Sequence, residues 1–273
     1  MNAGSGDGDQ FDSFYCGKLH DGTPIVVKRV RATSTQRIDN GELKEKLVDT
    51  LRMLQHPNLL RFLGVCYKEN CLVYEDIANG SLKQWIAGGE NRRRGFLPWH
   101  ARLRVMAETA RAVSFLHSNQ LDTGDPIIHG AIKPANILLD HNFVAKICQD
   151  DRALLVSRHP NGGHATQDSI CAFLGSNCQY LAPEYLRSGV FNEKTDIYAL
   201  GVTLLEVLTG KFWNALGIIE GAMRDGGAFE NALDPNAGCW DVSLAWQVAE
   251  LGLCCASLDE CNRPDMQQRT LAL

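Results

Sequence analysis

Short apolar runs fill the first quarter of this chain, and runs with helical period fill most of the rest. FYCGKL and TPIVVKRV, on either side of Asp21-Gly22, read as a β-hairpin. Leu43, Leu47, Leu51 and Leu54 recur at helical spacing and predict a helix from about Glu42 to Leu54. LLRFLGVC and CLVYED read as two further strands. After Asn79-Gly80 the period changes. SLKQWI predicts a short helix, the run from His100 to His117 a long amphipathic one, and the run from Lys194 to Leu208 an apolar one. More helix is expected around Trp213 to Met223 and Leu244 to Cys255. A small sheet-rich part ahead of a larger helical part predicts the α+β class. The opening MNAGSGDGDQ, residues 1–10, is small, polar and acidic and reads as a flexible terminus. The change of period separates residues 11–77 from residues 78–273.

Composition narrows the functional classes. At 273 residues and 45% hydrophobic, the chain can bury a large core. Charged residues make up 22% and the formal net charge is -5, which gives no reason to expect nucleic acid or an anionic membrane as partner. The ten cysteines are scattered; the closest grouping, Cys254, Cys255 and Cys261, has no paired C-x-x-C, so no zinc or other metal site is expected. No run approaches the roughly twenty apolar residues of a membrane span. The expectation is a soluble, cytoplasmic segment, with no membrane contact of its own, that can equally be the intracellular domain of a longer membrane receptor or part of a membrane-associated complex.

One stretch points to chemistry. His129 to Leu139, HGAIKPANILL, resembles the catalytic loop H-R-D-x-K-P-x-N-I-L-L of protein kinases. Other segments join it in family order. Ile25-Val26-Val27-Lys28 resembles the strand carrying the phosphate-binding Lys, and HPNLLRFLGVC and LVYEDIANGSLKQWI resemble the segments around the hinge. Ala182-Pro183-Glu184 stands as A-P-E, Asp196 and Gly201 match D-x-x-x-x-G, and Arg263-Pro264-Asp265 matches the late R-P-D. The wording is closest to plant receptor-like kinases of the Pelle type, including the kinase domains joined to U-box proteins. The resemblance covers roughly residues 11–268 and implies a two-lobed kinase fold, with residues 11–77 as the N-lobe and 78–273 as the C-lobe.

Within that resemblance the positions divide into kept and changed. Glu184 and Arg263 are implied to form a buried ion pair, and Asp196 to anchor the catalytic loop by accepting its N–H groups; these roles are structural. Lys133 and Asn136 are kept, either as phosphate and metal contacts or as residues that shape the loop. Ala131 stands where the family has the catalytic Asp, and Gly130 where it has Arg. Gln149 stands where the family has the Mg²⁺-binding Asp, unless the segment slips by one residue and Asp150 takes the role. The three glycine positions of the phosphate loop fall on Asp7, Asp9 and Asp12, which add bulk and repulsion toward a polyanion. Phe14 and Val26 are implied to fill the adenine pocket from the protein side. Lys28 remains, but its helix partner position falls on Leu47, with Glu45 and Asp49 turned away unless a shifted register brings Glu45 into reach. Lys28 is then expected to pair locally or to reach solvent.

The implied function is a pseudokinase, not an enzyme. No cofactor is expected, and ATP binding is expected to be weak or absent. The implied partner is a protein, such as an active receptor-like kinase or an immune receptor complex. Two alternatives stay open: a metal-independent nucleotide-binding switch using Lys28 and Asn136, and a weak kinase with unorthodox metal ligands at Asp150 or Asp151.

Overall fold

The computed structural model describes residues 13–29, 48–69, 71–86, 95–119, 126–148, 178–189, 192–225 and 228–266, with side chains from Tyr15 onward. Gln149, Leu47, the phosphate-loop aspartates and the side chain of Phe14 lie outside the described residues.

The chain opens into a four-stranded antiparallel sheet of β1 (Ser13–Lys18), β2 (Pro24–Arg29), β3 (Phe62–Cys66) and β4 (Cys71–Glu75), in the order β1-β2-β4-β3. The β1–β2 turn closes on Gly22, whose φ of 86° suits glycine, and Asp21 accepts the Thr23 N–H to hold it. The sheet has two unlike faces, because side chains alternate along each strand. Val26 lies opposite Tyr74 and Lys28 opposite Leu72, and all four are buried. The other face carries Tyr15, Val27, Arg29, Cys71 and Cys66, all exposed or half-buried. Helix α1, described over residues 48–53, buries Val48 and Leu51.

The larger part is helical: α2 (Leu82–Ile86), α3 (Trp99–Ser118), α4 (Pro183–Ser188), α5 (Glu193–Thr209), α6 (Ala215–Arg224), α7 (Phe229–Ala232) and α8 (Val242–Cys255). This is the expected two-lobed α+β architecture, a small antiparallel sheet lobe joined to a helical one. Helix α5 is its centre, almost wholly buried and capped at its start by Asn192, whose side chain accepts the Thr195 N–H. Such a helix needs close neighbours, and α8 approaches it where Gly201 faces Gly252. A Cβ on Gly201 would sit 2.7 Å from the Ala256 amide nitrogen and 2.8 Å from the Gly252 carbonyl, and one on Gly252 would sit 2.6 Å from a Leu205 methyl. Backbone atoms cannot yield as a flexible side chain does, so these glycines set the helix separation.

A short two-stranded sheet, β5 (Ile137–Leu139) with β6 (Ala145–Ile147), joins the lobes. Leu59 bridges in parallel to Ile147, the Leu60 N–H donates to Ile147 O at 2.9 Å, and the Asn58 side chain donates to Ala145 O at 3.1 Å. The apolar run at Leu59-Leu60 therefore leaves its expected strand and pairs across the lobes; β3 begins only at Phe62. On the other side Glu75 takes Lys146 at 3.1 Å. Among the described residues, no helix is long and apolar enough to cross a membrane.

Candidate functional site

The loop from His129 to Asn136 runs between α3 and β5, and nearly every polar group described on it is occupied from within the fold. Asp196, at the start of α5 and fully buried, accepts the His129 N–H on Oδ2 and the Gly130 N–H on Oδ1, both at 2.7 Å. His117 Nε2 meets Asp196 Oδ2 at 2.9 Å, and an ionised carboxylate only accepts, so the imidazole donates. Burial alone would push the Asp196 carboxyl up. The His117 hydrogen bond and charge, helped by the His129 backbone N–H, outweigh it and hold the group below the ordinary carboxylate value.

The loop is closed by its own residues as well. His129 Nε2 donates to Cys148 O at 2.9 Å while its Nδ1 accepts the Ala131 N–H at 3.2 Å. Gly130 sits at φ 71°, a left-handed conformation that glycine adopts at no steric cost. The Asn136 side-chain amide donates to Ala131 O at 2.8 Å. The Asn136 carbonyl in turn accepts the Cys148 N–H at 3.0 Å, tying the loop to the end of β6. Lys133 is half-buried on the same loop.

A hard divalent cation is best served by carboxylate oxygens. Ala131 has none; Asn136 commits its NH₂ to the loop carbonyl and keeps its amide oxygen as an acceptor. Among the described residues, no group of three or more His, Cys, Asp or Glu is arranged to hold a metal ion. Lys28 and Val26 lie on the buried face of the small sheet. Of the two fates expected for the Lys28 side chain, local pairing or reach to solvent, the second is excluded: it is 4% exposed, because its strand position faces Leu72 on β4 and points inward. Phe14 lies opposite Lys28 on β1 by backbone register.

The remaining kept residues form a second cluster away from the loop. Arg263 reaches Glu184 through two parallel hydrogen bonds, NH1 to Oε1 at 2.6 Å and NH2 to Oε2 at 2.8 Å. The same guanidinium donates to Lys194 O and Ser257 O and lies 5.0 Å over the Tyr198 ring. Burial pushes the Glu184 carboxyl up, but the Arg263 hydrogen bonds and charge win and hold it below its usual value.

Among the buried acids that sequence reasoning missed, Glu206 has the most shifted carboxyl. Glu206, 1% exposed on α5, accepts from Gln179 Nε2 at 2.6 Å and from the Tyr180 hydroxyl at 2.9 and 3.0 Å. Burial pushes its carboxyl up to about 8, against the Tyr180 hydrogen bond and the charge of Lys83. Tyr180 is pushed up too, by burial and then by Glu206. The only sequence signal was a Glu inside an apolar run. Between its ordinary value of 4.5 and about 8, the folded protein holds a proton that the unfolded chain has released. Stability is therefore highest at the acid end of that window and falls as pH rises through it, levelling off above it. In thermal melts across roughly pH 5 to 9, Glu206→Gln is expected to remove a decline worth a few kcal/mol relative to wild type. Parallel pH profiles for the two proteins would contradict the assignment.

Comparison with known proteins places these features in a family. A model of the protein kinase domain matches residues 4–228. Over 262 residues the chain is 36% identical to U-box domain-containing protein 35 of Arabidopsis thaliana, covering 96% of this chain and 30% of that protein. It is 34% identical over 268 residues to U-box domain-containing protein 70 of Oryza sativa subsp. japonica, 96% of this chain and 31% of that one. It is also 34% identical over 268 residues to a probable LRR receptor-like serine/threonine-protein kinase of Arabidopsis thaliana, covering 94% and 28%. The chain spans about 30% of the length of these curated relatives.

Proposed function

This chain belongs to the protein kinase domain family, and we propose that it is a catalytically inactive member, a pseudokinase whose work is binding. In this reading it scaffolds or allosterically regulates an active kinase, or docks within a receptor or immune complex, on the cytoplasmic side of the membrane. The observation that carries the proposal is Ala131. It occupies the loop position from which a kinase carboxylate accepts the substrate hydroxyl's proton, and a methyl group can neither accept that proton nor orient the hydroxyl. The loop around it is held from within the fold by Asp196, His129 and Asn136. Gln149 extends the argument, since a neutral amide there is a weak ligand for Mg²⁺.

A second reading is favoured by one residue. Lys28 is retained, on the buried face of the small sheet, at the strand position that carries the phosphate-binding Lys in the kinase family. A metal-independent nucleotide switch would supply a reason for keeping it. Thermal-shift titration with ATP separates the readings, with and without Mg²⁺ or Mn²⁺. A ligand that binds only the folded state raises stability by about 2.7 kcal/mol at a hundredfold excess over Kd. The expected result is no shift at millimolar ATP under any condition. A shift without metal would favour the switch, and a shift that requires metal would count against both.

A further inference from the structure

The outer face of the small sheet carries two cysteines in direct register. Cys66 ends β3, Cys71 begins β4, and the ladder makes them cross-strand partners. Partners in register project on the same face, with Cβ atoms about 4.5–5.5 Å apart, close to the roughly 3.5–4.5 Å of a disulfide. Cys66 is exposed and Cys71 partly so, and both are free thiols. Two further observations couple them to each other and to a cation. Arg29 is the register partner of Cys71 on its other side, so one row across the sheet reads Arg29, Cys71, Cys66. The Cys71 thiol is held above its ordinary value, first by burial and then by Cys66, with Arg29 acting in the opposite sense. The remaining described cysteines lack this relation: Cys16 points to the opposite face of the sheet, and Cys148, Cys178, Cys239, Cys254, Cys255 and Cys261 lie in the helical part.

We propose that Cys66 and Cys71 form an oxidisable dithiol, a site of reversible disulfide modification by small disulfides such as oxidised glutathione. The exposed Cys66 thiolate attacks one sulfur of the glutathione disulfide. That S–S bond breaks, and the first glutathione leaves as a thiolate that takes up a proton. Cys71 gives up its thiol proton and attacks the Cys66 sulfur of the mixed disulfide, releasing the second glutathione. Two protein thiols are oxidised to one disulfide, and one glutathione disulfide is reduced to two thiols. The bond closes only the short hairpin turn between β3 and β4, at the sheet edge. An exposed disulfide of this kind is readily reduced again, as a transient modification in a reducing compartment requires. The site is independent of whether the protein transfers phosphate.

The test equilibrates the whole 273-residue chain in glutathione buffers of rising oxidised fraction, quenches with an alkylating agent and reads thiols by mass spectrometry. Tryptic cleavage after Arg61, Lys68 and Lys83 leaves Cys66 and Cys71 on separate peptides, 62–68 and 69–83. The expected result is simultaneous loss of both thiols and a cross-link between those two peptides, reversed by reduced glutathione. Cys66→Ser or Cys71→Ser should instead carry a single glutathione adduct. That adduct should form only at roughly tenfold higher oxidised glutathione, because the intramolecular step enjoys a high effective concentration. Cys16→Ser should leave the wild-type curve unchanged. Independent glutathionylation of the two cysteines in wild type, a cross-link mapped elsewhere, or survival of both thiols in fully oxidised glutathione would each overturn the proposal. All three are read on wild-type protein, so none depends on how a variant folds.

Discussion

Arg263→Ala is expected to destabilise the protein by about 3–5 kcal/mol, the cost of breaking a buried ion pair from one side. The side chain is 2% exposed and makes two bonds to Glu184, one to Lys194 O and one to Ser257 O. It thereby joins three pieces of chain that do not otherwise share a ladder: α4, the start of α5, and the segment after α8. Truncation leaves the Glu184 carboxylate, whose side chain is 20% exposed, and the Lys194 and Ser257 carbonyls without their shared donor. Arg263→Lys should recover only part of the loss, because an ammonium cannot make the paired bonds of the guanidinium fork. Chemical denaturation of both variants checks this, and an Arg263→Ala protein within 1 kcal/mol of wild type, roughly the worth of an exposed pair, would contradict it.

Asp196→Asn is expected to cost on the order of 3 kcal/mol, nearly as much, although it removes no volume. The carboxylate accepts two backbone N–H groups and one imidazole N–H. An amide offers one oxygen and turns its own NH₂ toward a donor, so at least one buried N–H loses its partner. The effect has a signature in pH. The native carboxyl lies below its ordinary value, so its contribution is present above that value and is lost as pH falls through the lower native one. The Asn variant should lack that acid limb. Hydrogen exchange should show faster opening of the His129 and Gly130 amides while the core of α5 stays protected. Unchanged protection at those two amides would mean that the loop is held by something other than Asp196.

These two sites illustrate what could be read from the chain alone. Helix period located α3, α5, α6 and α8 to within a few residues, because each buries one long apolar face or is buried all round. The three-residue strands β5 and β6 were not legible, since ILL and AKI are too short to show a period and lie inside a motif read for its chemistry. Leu59 and Leu60 were read as strand because they are apolar and adjacent to one; their real partner, Ile147, lies across the lobes and leaves no mark in local sequence. At the candidate site, motif spacing picked out Asp196, Glu184 and Arg263, but not which backbone groups each one holds. The burial of Lys28 depends on its register against Leu72, a pairing between segments more than forty residues apart. The Glu206 cluster escaped notice for a similar reason, since Gln179 and Tyr180 meet it only once α5 is packed.

The proposal that the chain keeps the kinase architecture without the reaction is tested by phosphate transfer from labelled ATP by the purified protein. The assay should be run with Mg²⁺ and with Mn²⁺, on the protein itself and on a generic substrate, beside Lys28→Met and Ala131→Asp. Incorporation is expected to be no higher for wild type than for Lys28→Met. No rescue by Ala131→Asp is expected either, because catalytic groups act as a unit and restoring one does not restore the rest. Sustained incorporation by wild type that Lys28→Met abolishes would contradict the proposal.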